Sequence, residues 1–230
     1  MGKMVEIPVS DKSAKMGAYL AEPAQKAKVG IVVIQEIFGI NDGIRAMTDD
    51  WAAKGYVAIA PDLFWRVQPG VQLDADKPEE FQEGYGLMQR MDMDQSIKDI
   101  AAAIKTLRDA GCTKVGAVGY CMGGRLAFMT AARTDSDATV SYYGVGLDGL
   151  MGEAGDIKKP LLMHIATKDK FVPAEAQAKV HAALKGNPLV TIHDYDADHA
   201  FARHHGHSRV PALAEQADGR TQAFFAKELK

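Results

Sequence analysis

The stretch that most constrains this chain is Val115-Gly116-Ala117-Val118-Gly119-Tyr120-Cys121-Met122-Gly123-Gly124. An apolar, strand-like run ends at a cysteine framed by glycines, and Arg125 to Ala132 then reads as a helix. Glycine, any residue, nucleophile, any residue, glycine describes a turn so tight that its central residue is strained and its side chain is pushed outward. The crowding on either side admits only residues without a β-carbon, here Gly119 and Gly123. Cys121 is thereby set at a helix amino end, where free N-H groups and the dipole favour a thiolate. A buried core cysteine is the commoner reading of a lone cysteine; the glycine frame favours a nucleophile here. Cys112, after Gly111 and with no such frame, reads as structural.

The rest of the chain supplies the scaffold such a turn requires. Met16 to Ala21 alternates like an antiparallel strand. Val29 to Ile34 and Pro160 to Ala166 are apolar runs suited to strands buried on both faces, and Tyr56 to Ala60, Ala138 to Gly144 and Val190 to Tyr195 read as further strands. Between them, helical spacing falls on Asp42 to Lys54, Ile97 to Leu107, Ala174 to Leu184 and Ala214 to Glu228. Strands alternating with helices predict an α/β fold of the α/β-hydrolase type, a mainly parallel sheet with helices on both faces. No linker or repeat divides the 230 residues, so a single domain, 1–230, is expected. Residues 62–93 form a polar, less regular excursion with a helix from Glu79 to Arg90, placed to act as a lid over the strand ends.

Glu36, Cys121, Asp169 and His199 then fall just beyond the carboxyl ends of four different strands, where open α/β sheets gather their ligands. Nucleophile, acid and histidine follow one another in the chain order of an α/β-hydrolase triad with cysteine in place of serine. Cys121 would attack an ester carbonyl, His199 would move protons, and Asp169 would hold the imidazole. The N-H groups of Met122 and Ile37 would receive the oxyanion. Singly, His199 reads as a loop histidine, Asp169 as a turn residue and Glu36 as a surface or salt-bridged carboxylate; their joint placement favours chemistry.

Composition narrows the partners. With 27 basic and 30 acidic residues the net charge is -3, which gives no reason to expect nucleic acid or an anionic membrane. No apolar run approaches a membrane span, and Met1 to Lys15 lacks the apolar core of a signal peptide. Two cysteines cannot build a disulfide framework, and a cysteine nucleophile works only when reduced, which favours the cytoplasm.

Taken together, Gln35-Glu36-Ile37-Phe38-Gly39, Gly119-Tyr120-Cys121-Met122-Gly123-Gly124, Tyr142-Tyr143-Gly144-Val145-Gly146, Asp169-Lys170-Phe171-Val172-Pro173 and His199-Ala200-Phe201-Ala202-Arg203 resemble the dienelactone hydrolase family, the carboxymethylenebutenolidases. The similarity runs from about Val29 to Phe225. It implies hydrolysis of an unsaturated lactone, of the kind that yields maleylacetate in chlorocatechol breakdown, with no metal or organic cofactor. It also implies that Glu36 pairs with Arg203 at rest, and that a substrate carboxylate competes for the arginine and frees Glu36 to take the thiol proton. Arg203, Tyr85, Phe38 and Tyr143 are expected at the substrate, a small lactone or ester, in a monomeric protein. Two positions depart from the family pattern: Phe81 stands where a second substrate-binding arginine is expected, and Ala200 where a serine is. Arg66, Arg90 and Arg125 are candidate replacements for that charge.

The cluster His199, His204, His205 and His207, with Asp196 and Asp198, invites a metal. It lacks a second ligand group elsewhere and His199 has another role, so no metal is expected. A different class of function, a thiol redox sensor or ligand-binding protein built on Cys121, needs neither the acid nor the histidine.

Overall fold

The computed structural model describes residues 1–10 and 13–230. Eight strands form one sheet in the order β1-β2-β4-β3-β5-β6-β7-β8: β1 (Lys3–Pro8), β2 (Lys15–Ala21), β3 (Val29–Ile34), β4 (Val57–Pro61), β5 (Lys114–Tyr120), β6 (Ala138–Tyr142), β7 (Leu161–Ala166) and β8 (Val190–Tyr195). β2 runs antiparallel to β1 and β4, and every pairing from β4 to β8 is parallel. The helices are α1 (Asp42–Ala53), α2 (Pro78–Arg90), α3 (Met93–Asp109), α4 (Met122–Arg133), α5 (Ala174–Leu184) and α6 (Pro211–Glu228).

Alternation along the central strands divides the core in two. Val32 and Ile34 of β3 and Val115 and Ala117 of β5 pack with residues of α3, α4 and α5 on one face. Ile31 and Val33, with Val118 and Tyr120, pack with α1 and α6 on the other. This two-sided burial explains why these strands read as continuous apolar runs. Asn41 caps α1 through Oδ1, which accepts from the N-H of Ile44 at 3.1 Å, and Asp92 caps α3 in the same way.

From β3 the chain crosses to β4 on one side and later to β5 on the other. The strand order therefore reverses between β3 and β5, the position where such sheets open a crevice. Ile34 and Gly119 are register partners there, so the segments after both strands emerge side by side.

Two elements differ from expectation. β1 was not anticipated, because on this edge strand only Ile7 is fully buried and the charges of Lys3 and Glu6 mask the alternation. The glycine-rich stretch after β6 is not simple loop: Leu147–Asp156 winds into 3-10 turns that bury Leu147 and Leu150.

Candidate active site

The elbow is built as the glycines require. Cys121 has φ 58° and ψ -116°, a strained conformation for a residue with a β-carbon. A Cβ on Gly119 would come within 1.9 Å of the Gly123 carbonyl oxygen, and one on Gly123 within 2.4 Å of that of Ile34. Gly124 is pressed equally hard against Tyr142, 2.4 Å from its carbonyl oxygen. The turn is thus wedged between the ends of β3, β5 and β6. Met122 is the first residue of α4, a position whose N-H has no acceptor within the helix. Its neighbour Gly123 packs on the segment leading to Ile37, which brings the two predicted oxyanion donors to the same rim.

The acid and the histidine meet. Nδ1 of His199 lies 2.6 Å from Oδ2 of Asp169, while Oδ1 of Asp169 accepts from the N-H of Phe171 at 2.8 Å. Both carboxylate oxygens are therefore fixed. The rings of Phe171 and Tyr143 stand edge-on to the imidazole at 4.9 and 5.2 Å. Burial alone pushes the pKa of His199 down, but attraction to the sulfur of Cys121 in its thiolate form and the ring's hydrogen bonds to Asp169 and Cys121 outweigh it and push it up to about 10.

Glu36 is buried, and its alternative reading as a surface carboxylate is overturned. Nε and Nη2 of Arg203 donate to its two oxygens at 2.7 and 3.2 Å. The guanidinium also lies over the ring of Phe38 at 5.1 Å. Tyr143 has φ 36° and a buried hydroxyl with no partner among the described residues. Burial, reinforced by the Glu36 carboxylate, pushes its pKa well up, so it remains a neutral donor. Ala200 has φ 61°, so three non-glycine residues with positive φ, Cys121, Tyr143 and Ala200, gather at or beside this site.

The excursion after β4 is tied to the same rim. Gly39 and Gln72 form a β-bridge, and the N-H of Leu73 donates to the Phe38 carbonyl at 2.9 Å. Gly84 brings α2 onto Ile37, where a Cβ would sit 2.3 Å from the carbonyl oxygen. Tyr85, the next residue, is exposed. Phe81 stacks on Phe171 at 6.1 Å and tilts against Phe38 at 6.3 Å. Phe171 as a wall was missed from sequence, although it lies inside the Asp169–Pro173 motif.

Arg66 is committed to Asp99 at 2.8 Å, and Arg90 is exposed at the end of α2. The histidine run is not helical: His204 pairs with Asp50 at 3.0 Å, His207 with Asp76 at 2.9 Å, and Asp196 and Asp198 with Lys168 and Lys170. Among the described residues no group of three or more histidine, cysteine, aspartate or glutamate side chains converges as a metal site. Cys112 is buried, with its Sγ 3.3 Å from where a Cβ on Gly30 would stand, and burial pushes its pKa up, as suits a structural thiol. No helix among the described residues is long and apolar enough to cross a membrane.

A sheet of this order, carrying a strained cysteine elbow after β5, an acid after β7 and a histidine after β8, defines an α/β-hydrolase. Residues 16–229 match the family model described as the dienelactone hydrolase family. The chain belongs to that family, and is an enzyme of the carboxylic ester hydrolase class. It is 52% identical over 230 residues, covering 98% of both chains, to the "putative carboxymethylenebutenolidase" of Azospirillum brasilense. It is 38% identical over 213 residues to the carboxymethylenebutenolidase of Pseudomonas putida, covering 91% of this chain and 90% of the other. Among solved structures, a "putative dienelactone hydrolase" from Klebsiella pneumoniae superposes with a TM-score of 0.86 at 28% identity, over 99% of this chain and 98% of that one.

Proposed function

We propose that this protein opens a lactone or small carboxylate-bearing ester, in a reaction of the dienelactone-to-maleylacetate type, with Cys121 as nucleophile, His199 and Asp169 as its partners and Glu36 as a gated base. The observation that carries the reading is the pairing of a fixed His199–Asp169 couple with a strained Cys121 that acts directly on the imidazole.

At rest Glu36 is held by Arg203. A substrate carboxylate that takes the guanidinium leaves a buried carboxylate without its partner, and Glu36 then accepts the thiol proton. The thiolate attacks the acyl carbon, and the oxyanion is received by the N-H groups of Met122 and Ile37. Collapse breaks the bond to the ring oxygen, which takes the proton from His199. The thioester carries no charge, so the force that raised the pKa of His199 is gone and the imidazole becomes a base. It takes a proton from water, hydroxide adds to the thioester, and the thiolate is expelled and reprotonated by Glu36 as product leaves.

The α2 excursion, about residues 62–93, serves as the lid, with Tyr85 and Phe38 at the substrate and the Tyr143 hydroxyl as a donor to it. The reduced thiol this chemistry needs fits a cytoplasmic protein, and nothing in the scheme requires a second subunit or a cofactor. Turnover of dienelactone and of p-nitrophenyl acetate by wild type and Cys121→Ala tests the proposal. Loss of both activities in the variant is expected. Absence of ester turnover in wild type, together with stoichiometric oxidation of Cys121 by peroxide, would replace it with the sensor reading.

A further inference from the structure

Residues 205–208, in the loop after Arg203, are exposed, whereas Arg209 is half-buried and folds back on the start of that loop. Its Nη1 donates to the carbonyl of Ala202 at 3.2 Å and to that of Arg203 at 3.1 Å. These carbonyls belong to the two peptide groups on either side of the Arg203 Cα. The first of those groups is held at its other end as well, because the N-H of Arg203 donates to the Ala200 carbonyl at 3.0 Å. A planar peptide fixed through both its N-H and its carbonyl has little freedom to rotate. The main chain at Arg203 is thus pinned, and the motion left to this residue is that of its side chain.

Arg209 is itself steered from α6. Its Nη2 lies 3.8 Å from Oδ2 of Asp218, whose Oδ1 accepts from the Tyr142 hydroxyl at 3.0 Å. The carbonyl of Tyr142 in turn accepts from the N-H of Cys121 at 3.1 Å. One carboxylate therefore stands between the strand that backs the elbow and the arginine that grips the loop. None of these contacts uses the Arg203 guanidinium, whose hydrogen bonds to Glu36 are left undisturbed.

Hydrogen bonds weaken steeply outside a narrow range of distance and angle, so a guanidinium that serves two carboxylates in turn needs an anchored Cα. We propose that Arg209 is a positioning residue that sets the preference of this enzyme for carboxylate-bearing substrates, by fixing the backbone from which Arg203 exchanges Glu36 for the substrate. The assignment rests on the role of Arg203 as the gate.

The test follows ring opening of dienelactone and of its carboxamide, which matches it in size and lacks the charge. In Arg209→Met the ratio of kcat/KM for dienelactone to that for the carboxamide should fall about tenfold, the worth of a lost charge-assisted contact, while kcat/KM for the carboxamide does not fall. Arg209→Lys, whose ammonium can donate to the same carbonyls, should recover most of the ratio. If Arg209→Met does not fold, Arg209→Gln, which keeps an uncharged donor, is read for the same fall. Equal losses on both substrates would make Arg209 a structural residue only and overturn the proposal. So would an unchanged ratio, or Arg209→Lys no better than Arg209→Met. Arg203→Met on the same two substrates keeps the failures apart: a ratio that falls there but not in Arg209→Met overturns the role of Arg209 alone, whereas a ratio insensitive to Arg203→Met overturns the gate and the role of Arg209 with it.

Discussion

Arg203 reaches across 167 residues of sequence to clamp Glu36 through two hydrogen bonds, at 2.7 and 3.2 Å, and both side chains are nearly shut off from water. A buried carboxylate with a single guanidinium partner is stable only while that partner stays, so anything that draws Arg203 away creates a strong base at once. Arg203→Met is therefore expected to cost about 3–5 kcal/mol of stability through the stranded carboxylate. In Arg203→Met with Glu36→Gln, which removes the stranded charge, most of that loss should return. The kinetic signature is a fall in the ratio of kcat/KM for a carboxylate-bearing ester to that for a neutral ester of the same size. An unchanged ratio in Arg203→Met would mean that the arginine plays no part in sensing substrate.

Cys121→Ser should remain folded, because serine is no larger and the glycine frame around position 121 is untouched. Its turnover should fall by at least ~100-fold, since a serine hydroxyl is far less acidic than a thiol and the proposed gated base is asked only to take a thiol proton. Thermal unfolding and steady-state rates on one ester settle both halves. Equal rates would remove the thiolate from the mechanism.

The raised pKa of His199 gives stability a pH dependence of definite sign. An imidazole that titrates at 6.5 in the unfolded chain and at about 10 in the folded one retains a proton that unfolding releases. Its contribution is complete below pH 6.5 and is lost progressively as pH rises toward 10, with a slope of at most ~1.4 kcal/mol per pH unit. Cys121→Ala removes the sulfur whose thiolate form does most to raise His199, so its denaturant midpoint should decline less steeply between pH 7 and 10. Parallel profiles would show that Cys121 does not act on this histidine.

Much of this arrangement was legible in the sequence because it is written in local constraints. The Gly119–Gly124 frame forced the elbow, Asp169 was found because it follows the buried strand β7, and His199 because it lies in the loop leaving the last strand, β8. Glu36 paired with Arg203 was accessible only through resemblance to a family, as no local rule joins residues so far apart. Phe171 and the strain at Tyr143 were not legible, since a single aromatic beside a strand end carries no periodicity and φ has no signature outside glycine. β1 escaped for a related reason, an edge strand with one fully buried residue leaving almost no pattern. The histidine run shows how little closeness in sequence fixes in space: His204 pairs with Asp50 and His207 with Asp76.

Two glycines offer a matched test of the elbow itself. At Gly123 a Cβ would lie 2.4 Å from the Ile34 carbonyl oxygen and 2.5 Å from that of Gln35, contacts with backbone that no rotamer can relieve. Gly123→Ala must therefore push α4 away from β3, moving Met122 relative to Ile37 and spoiling the proposed oxyanion site. A stability loss of about 2–4 kcal/mol is expected, of the size seen for overpacking a rigid interior, with a deeper loss of kcat than of KM because the disturbed contacts belong to the transition state. Gly219 in α6 has no atom within 4 Å of its virtual Cβ, so Gly219→Ala should add roughly 0.5–1 kcal/mol through helix propensity and leave turnover unchanged. Chemical denaturation and kinetics of the two variants side by side distinguish a site that depends on a close backbone approach from one that depends on side chains alone. If Gly123→Ala were as stable and as active as Gly219→Ala, the wedge between α4 and β3 would not be what holds Cys121 in its strained conformation.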